Sequence, residues 1–366
     1  MKTMKNIALI AAASILLSAA AQAQVNIYIS GAVAFRAQTY NVIRSLYDPG
    51  FAQNPASGIN ATLIAWSGTA SNALDTGAQT VNIFANYNGA VAGIQNLTVP
   101  TAAQFYTSFT PGVTSTAPHA VDFAFSSVYQ ATTPYLSPVL DDPQPFGITP
   151  ILWIKSTNSL PGITNISSQQ AKELASAGAL PAYFFTGDTN DTTLVHFVTR
   201  DVTAGQRLIV LRDAGFTGAS PQAYQNNGSS WQFDGTGRTS TGQIITQLNT
   251  YANAISYLTG VDAISVLNHG PTGAAVLSYN GVFPFLNTNS LSSVSNDYTP
   301  VVTGQYSLWG YEHLLKPSTL SGTALTLYNS LTNALGTNVS SQYTIAPISS
   351  VYVGRDSDGG TVYPIR

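Results

Sequence analysis

The sequence has 366 residues, of which 44% are hydrophobic, 8% are charged and none is cysteine. The absence of cysteine excludes disulfide scaffolds, cysteine-ligated metal centres and thiol catalysis. A formal net charge of −3 with 13 Lys and Arg disfavours a nucleic-acid-binding protein, which needs a basic surface.

The N-terminal segment has the pattern of an export signal. Lys2 and Lys5 precede an apolar stretch at 7–17, and residues 21–23 (Ala-Gln-Ala) form a small-x-small cleavage pattern. The apolar stretch is too short to favour a membrane anchor, and no later segment reaches transmembrane length. We therefore expect cleavage before Gln24 and a mature protein, periplasmic or secreted, that is not inserted in the membrane.

Strands and helices alternate along the mature chain. Apolar residues at every second position predict strands, and a spacing near 3.6 residues predicts helices. The predicted strands lie at 25–29, 81–83, 121–125, 148–154, 195–198 and 351–353. The predicted helices lie at 35–46, 88–94, 167–178, 208–214, 240–255 and 324–335, and polar loops are expected at 217–243 and 285–305.

Capping residues support two of these helices. Ser167 with Gln170, and Ser240 with Gln243, form capping-box patterns, and Gly178 is a suitable helix stop. The apolar run at 148–154 is nearly continuous, which is typical of a strand covered on both faces. The alternation as a whole predicts an α/β fold with a largely parallel sheet.

No catalytic motif is found in the sequence. The histidines are scattered, and His196 lies in a predicted strand, where a structural role is the simpler interpretation. We interpret the pair at 312–313 (Glu-His) as a surface feature and the pair at 141–142 (Asp-Asp) as a solvated turn. We therefore expect no enzymatic activity, no metal and no cofactor. A secreted hydrolase stays open only because acidic residues can lie on opposite sides of a cleft.

A series of segments resembles motifs of the phosphate-type solute-binding proteins of ABC transporters. Residues 88–94 are similar to that family's Gly-Ser-x-x-Gly-Ile helix start, and 121–127 to its Val-Asp-Phe-x-x-Ser-Asp strand end. Residues 199–206 are similar to its Arg-x-x-x-Ser-Gly-Thr loop. Further similar segments, in the family's order, lie at 29–35, 166–174, 254–258, 280–284 and 304–309.

The resemblance implies a two-lobed fold of the periplasmic-binding-protein type (type II) with a hinge and two chain crossings. We place the first lobe at 24–144 plus 306–366 and the second at 145–305. The implied function is to bind an oxyanion, phosphate-like, or another small polar solute between the lobes and to deliver it to ABC permease subunits in the membrane.

The resemblance also implies a binding site built from helix N-termini and one arginine. Main-chain N–H groups at helix starts and a guanidinium suit a dehydrated anion. The residues carried over to the site are Ala34, Phe35, Gly89, Ala90, Ser127, Arg200, Thr203, Ala204 and Gly205. An alternative for Arg200 is an ion pair with Asp201 or Asp213.

This sequence departs from the family's pattern at the ligand-binding side chains. Ala34, Ala90 and Gln206 stand where the family has Thr, Ser and Thr, Ala204 stands at another Ser, and Ser127 stands at a proton-accepting Asp. Each lost hydrogen bond to a charged ligand is worth roughly 1.5–3 kcal/mol. The alternative function is therefore an exported binding-fold protein with a structural or adhesive role and no transported ligand. A second match to the arginine motif at 355–361 lies outside the family's position and is interpreted as a polar turn.

Overall fold

The structure is a computed structural model that describes residues 24–70, 74, 79–99, 101–159, 161–266, 273–286, 297–338 and 346–365. The predicted signal peptide, residues 1–23, lies outside these ranges. Among the residues described, no helix has both the length and the apolar character needed to cross a membrane.

Strands and helices alternate through most of the described chain. The strands are β1 (Val25–Gly31), β2 (Ala52–Asn54), β3 (Leu63–Thr69), β4 (Thr80–Asn86), β5 (Ala103–Tyr106), β6 (Thr116–His119), β7 (Phe123–Ser126), β8 (Gly147–Lys155), β9 (Asn165–Ile166), β10 (Ala179–Pro181), β11 (Leu194–Phe197), β12 (Tyr224–Asn226), β13 (Trp231–Phe233), β14 (Ala254–Thr259), β15 (Ala275–Val276), β16 (Ser278–Tyr279), β17 (Trp309–Leu315), β18 (Ala346–Pro347), β19 (Val353–Gly354) and β20 (Tyr363–Pro364). The helices are α1 (Arg36–Leu46), α2 (Ala90–Thr98), α3 (Ser168–Ala177), α4 (Tyr183–Thr186), α5 (Gly205–Asp213), α6 (Thr241–Thr250), α7 (Gly260–Val266), α8 (Thr299–Val302) and α9 (Gly322–Asn338). Short 3₁₀ turns lie at Val33–Phe35, Gln130–Thr132 and Ile348–Ser350.

A large mixed sheet runs through the described part of the chain in the order β10-β11-β14-β8-β17-β7-β1-β4-β3-β2, and β15 and β18 also pair with β8. β1 pairs in parallel with β4 and β7, and β11 pairs in parallel with β14. The neighbouring pairs β2–β3, β3–β4, β7–β17, β17–β8, β8–β14 and β10–β11 are antiparallel. The expectation of a largely parallel sheet is therefore wrong, because short connections such as that between β2 and β3 reverse the chain direction.

Two strands join the two lobes. The end of β17 at His313–Leu315 pairs with β7, while its beginning at Trp309–Glu312 pairs with β8, which in turn pairs with β14. We call the part with β1–β7, α1, α2 and α9 the first lobe, and the part with β10, β11, β14, α3 and α5–α7 the second lobe. The two-lobed α/β fold with two chain crossings is confirmed. The lobe boundaries expected before β8 and β17 stay a prediction.

The crossing strand β8 forms the centre of the hydrophobic core. Eight of its nine residues are buried, as the continuous apolar run predicts for a strand covered on both faces. Trp153 of β8 packs against Phe197 and Tyr257, with ring centroids 6.1 and 5.8 Å apart. Burial of these large rings contributes most per residue to the free energy of folding.

The capping box expected at Ser167 is confirmed, whereas the one expected at Ser240 is only half formed, because the Gln243 side chain accepts from the Thr239 N–H. Ser167 accepts a hydrogen bond from the Gln170 N–H at 3.1 Å, the Gln170 side chain accepts one from the Ser167 N–H at 2.8 Å, and α3 ends before Gly178. Helix α6 ends at Thr250 and not at 255, because Asn253 adopts a left-handed conformation and residue 255 belongs to β14.

The segments expected to be loops contain short elements. The range 217–243 holds the hairpin β12–β13, and the range 285–305 holds α8, while 287–296 lie outside the described residues. His196 lies in β11 as expected, and Trp231 of the hairpin stacks on it with ring centroids 4.7 Å apart. The turn at 355–361 joins β19 to β20, although Arg355 and Asp358 are buried.

The expectation that Glu312 and His313 lie on the surface is wrong. Both side chains are buried in β17, because this strand has neighbours on both edges and is covered on both faces. His313 Nδ1 lies 2.9 Å from an Asp142 carboxylate oxygen, and Asp141 pairs with Lys316 at 2.5 Å, so the expected solvated turn is ion-paired. Burial raises the pKa of Glu312 to about 8 from an ordinary 4.5, and the nearby Thr149 hydroxyl opposes the shift only in part.

The raised pKa of Glu312 predicts a loss of stability with rising pH. Between the unfolded-state pKa and about 8 the native protein keeps a proton that the unfolded chain releases, so the free energy of unfolding falls as pH rises. Between pH 5 and pH 8 the fall expected from this group is roughly 3–4 kcal/mol. We expect Glu312→Gln, measured by urea denaturation across this range, to remove that part of the dependence. Exposed Glu173→Gln is the matched control, and equal pH profiles for the two variants would contradict the prediction.

Candidate functional site

The first lobe supplies two chain segments to the site, each following a strand of the sheet. After β1, the 3₁₀ turn Val33–Phe35 leads into α1, and Ala34 in this turn is buried. Phe35 lies in the same turn, and its side chain is outside what the structure describes. After β4, Gly89 forms the N-cap of α2 and Ala90 is the first helical residue. Gly89 adopts a φ of +119°, which a residue with a Cβ rarely tolerates.

The second lobe supplies the loop between β11 and α5. Arg200 follows β11, Ala204 is the N-cap of α5, and Gly205 is its first residue. The Thr203 hydroxyl donates to the Asp201 carboxylate, whose oxygens lie 3.0 and 3.1 Å away. The order of strand, small-residue loop and helix start is therefore the same in both lobes.

The two lobes meet at these loops with backbone against backbone. The Val91 N–H in the first turn of α2 donates to the Thr203 carbonyl oxygen at 3.2 Å. A Cβ at Gly89 would lie 2.5 Å from that oxygen, and a Cβ at Gly205 would lie 2.6 Å from Ser127 Oγ and 2.8 Å from Ala90 Cβ. The small residues are thus needed for the lobes to approach this closely.

Arg200 is bonded within its own lobe. Its Nη1 donates to Thr241 Oγ1 at 2.8 Å, its Nε donates to the Arg238 carbonyl at 3.1 Å, and its Nη2 lies 3.6 Å from an Asp201 oxygen. The residue is 3% exposed. The alternative ion pair of Arg200 with Asp201 is therefore present, whereas Asp213 lies near Arg355 instead.

The structure brings most of the predicted site residues around one small cavity. Its volume is about 20 Å³, and its lining includes Ala34, Gly89, Ala90, Ser127, Arg200, Ala204 and Gly205. Among the described residues, Thr203 is outside this lining, although its carbonyl oxygen contacts the first turn of α2. Room for a water molecule requires about 10–15 Å³, so the cavity accommodates little more than one water.

A much larger cleft adjoins this cavity. It has a volume of about 640 Å³ and shares Val33, Arg200 and Asp262 with the small cavity. Polar side chains of both lobes line it: Arg36, Asn60, Thr62 and Asn88 from the first, and Asp201, Thr239, Ser240 and Thr241 from the second. Within the described ranges, no cluster of His, Asp and Glu is arranged to hold a metal ion.

Two charged residues of this cleft, Arg36 and Asp262, were not identified from the sequence. Arg36 directly follows the motif segment at 29–35, and Asp262 stands three residues after Thr259, a Thr-x-x-Asp spacing that marks a helix start. The Thr259 hydroxyl indeed donates to Asp262 Oδ2 at 2.7 Å. That spacing was the available signal, but nothing local indicates that the two residues face one cleft.

Arg36 and Asp262 influence each other's ionisation. Burial raises the pKa of Asp262, and the Thr259 hydroxyl, Arg36 and Arg200 oppose the shift. Burial lowers the pKa of Arg36, and Asp262 opposes that shift. Each charge is therefore stabilised by the opposite charge across the cleft.

Comparisons with known proteins show the fold. No family model matches the chain, and no curated protein matches it. A Clostridium perfringens protein assigned as a phosphate ABC transporter substrate-binding protein, solved with bound phosphate, is 12% identical over 88% of this chain and 99% of its own, with a TM-score of 0.53. A Vibrio cholerae ABC-type phosphate transport receptor is 14% identical over 87% of this chain and 99% of its own, with a TM-score of 0.49. The first similarity confirms the fold expected from the resemblance.

The close contact between the lobes predicts that alanine substitutions of two glycines near helix starts have different effects on the free energy of unfolding. Gly205→Ala places a methyl group within 3 Å of Ser127 Oγ and Ala90 Cβ, so we expect the free energy of unfolding to fall by about 1–3 kcal/mol through overpacking. Gly242→Ala in the first turn of α6 meets only Ser240 Oγ, at 3.9 Å, so we expect no loss or a gain of up to about 1 kcal/mol. Urea denaturation of both variants tests the contact, and equal effects would contradict it.

Proposed function

We propose that this chain is an exported solute-binding protein that holds a small polar solute between its lobes for uptake by an ABC permease. The observation that carries the proposal is the cleft of about 640 Å³, lined by polar side chains from both lobes. Its volume falls within the usual range of roughly 300–1,000 Å³ for small-molecule sites. The fold shared with the Clostridium perfringens protein, which was solved with phosphate, supports a binding role.

The helix N-termini support the narrower proposal of a phosphate-like oxyanion. However, groups of the chain itself already accept hydrogen bonds from the donors that would bind the anion. The Gly89 and Val91 N–H groups already donate to the carbonyl oxygens of Gly31 and Thr203. The Arg200 guanidinium is bonded to its own lobe. An oxyanion between the loops therefore requires the lobes to separate and Arg200 to change partners.

A second candidate function is an exported protein of this fold without a transported ligand. The observation that favours it is the same lobe contact, in which the chain occupies its own main-chain donors. In that case the crossing strands and the contact serve rigidity alone. Delivery to a permease, a periplasmic or secreted location and the absence of catalysis are further parts of the first proposal.

Ligand binding to the purified, exported protein distinguishes these candidates. We expect at least one solute from a set of phosphate, sulfate, neutral sugars and amino acids to give a saturable calorimetric signal and to raise the melting temperature, because a ligand that binds only the native state stabilises it. Arg200→Ala should abolish the signal, since Arg200 lines both the cavity and the cleft.

The matched control is Arg212→Ala, an exposed arginine of α5 outside the cleft. Circular dichroism shows whether each variant keeps its fold. If Arg200→Ala does not fold, Asn60→Ala at the exposed rim of the cleft replaces it. Flat titrations with every solute would contradict the transport proposal and favour the ligand-free alternative.

A further inference from the structure

The charges in the large cleft are balanced by the chain itself. Arg200 and Asp201 lie 3.6 Å apart in the second lobe. Arg36 of the first lobe and Asp262 of the second line the same cleft and stabilise each other's charged form. Two arginines and two aspartates thus line the same cleft. A site of this kind offers a net anion or cation little attraction, because each charged ligand also meets a like charge.

The uncharged side chains of the cleft supply hydrogen-bond donors and acceptors together. Amide groups of Asn60 and Asn88 provide both kinds, and so do the hydroxyls of Thr62, Thr239 and Ser240. The two arginines only donate, and the two carboxylates only accept. A solute hydroxyl both donates and accepts, so a molecule with several hydroxyls can satisfy such a mixed lining.

The cleft also provides apolar surface and suitable room. Val33, Ile245 and Tyr87 also line the cleft, and the Tyr87 hydroxyl is already bonded to Thr39 at 2.6 Å. These residues suit the C–H faces of a ring that carries hydroxyls on its rim. The volume of about 640 Å³ is far larger than the cavity of about 20 Å³ at the helix starts.

We infer that the large cleft binds an uncharged, polyhydroxylated solute with the size of one or two sugar rings. The inference rests on the proposed solute-binding function and specifies its ligand class. The paired charges act as hydrogen-bonding groups, with guanidinium N–H donating to solute oxygens and carboxylate oxygens accepting from solute hydroxyls. The small cavity beside Ala90 and Gly205 then holds water and not the ligand.

Calorimetry with matched probes tests this ligand class. The probes are neutral monosaccharides and disaccharides, the anionic sugar glucuronate, the cationic sugar glucosamine, and inorganic phosphate. We expect a neutral sugar to bind at least about tenfold more tightly than its charged counterparts. Its affinity should change less than about twofold between 0.05 and 0.5 M salt, since screening acts on charged ligands.

Substitution of one cleft carboxylate provides a sharper test. Asp262→Asn keeps the side-chain shape but leaves Arg36 and Arg200 with one carboxylate fewer, so we expect glucuronate or phosphate to gain at least about tenfold in affinity relative to the neutral sugar. Asn60→Ala at the exposed rim should weaken binding of the neutral sugar by about threefold or more. Asn190→Ala, in an exposed turn outside the cleft, is the matched control and should not change it.

The outcomes separate the ligand class from the function. Tight binding of phosphate or sulfate without binding of any neutral sugar would overturn the inference and leave the solute-binding proposal intact. Preference for a charged sugar over its neutral counterpart would likewise overturn it. No binding by any probe or by the wider solute set would overturn both.

Discussion

The carbonyl group of Thr203 lies against the first turn of α2, and the relation between the two lobes depends on this contact. The Val91 N–H donates to it at 3.2 Å, and Gly89 leaves room for it because a Cβ there would lie 2.5 Å from the oxygen. The N–H groups of a first helical turn have no acceptor within their own helix. The second lobe therefore provides an acceptor that water or a ligand would otherwise supply.

The residues that weaken an anion site are the ones that permit this contact. Ala90 and Gly205 face each other, and Ala204 caps α5 without a side-chain hydrogen bond. Hydroxyl-bearing residues at these positions would need space and partners between the lobes. With small residues in their place, the lobes approach until backbone and Cβ atoms touch, and the cavity that remains has about 20 Å³. The absence of hydroxyl-bearing side chains at these positions and the close approach of the two lobes therefore have the same structural cause.

The crossing strands β8 and β17 hold the large cleft next to this contact. Both strands lie in the middle of one sheet, so the loops that follow β1 and β4 in one lobe face the loops that follow β11 and β14 in the other. Arg36 at the start of α1 and Asp262 in the first turn of α7 come from the opposite lobes and stabilise each other's charge. Binding of a solute there does not require the Thr203 contact to break.

Local features of this structure could be predicted from the sequence, and features that depend on distant partners could not. The capping box at Ser167 and the buried strand β8 follow from residues within a few positions of each other. The convergence of Ala90, Ser127 and Gly205 was expected only through the resemblance, because no local signal links loops so far apart. Burial of Glu312 was missed, since it depends on both sheet neighbours of β17. The large cleft was missed for the same reason, because its charged residues come from separate lobes.

Amide hydrogen exchange at Val91 tests the lobe contact most directly. In the protein without ligand, the account predicts that this N–H exchanges roughly 100-fold or more slowly than an unstructured amide, because its acceptor is the Thr203 carbonyl of the other lobe. The Gly93 N–H, which donates to the Gly89 carbonyl within α2, serves as the internal reference. Fast exchange at Val91 with a protected Gly93 would show that the lobes stand apart and would contradict the account.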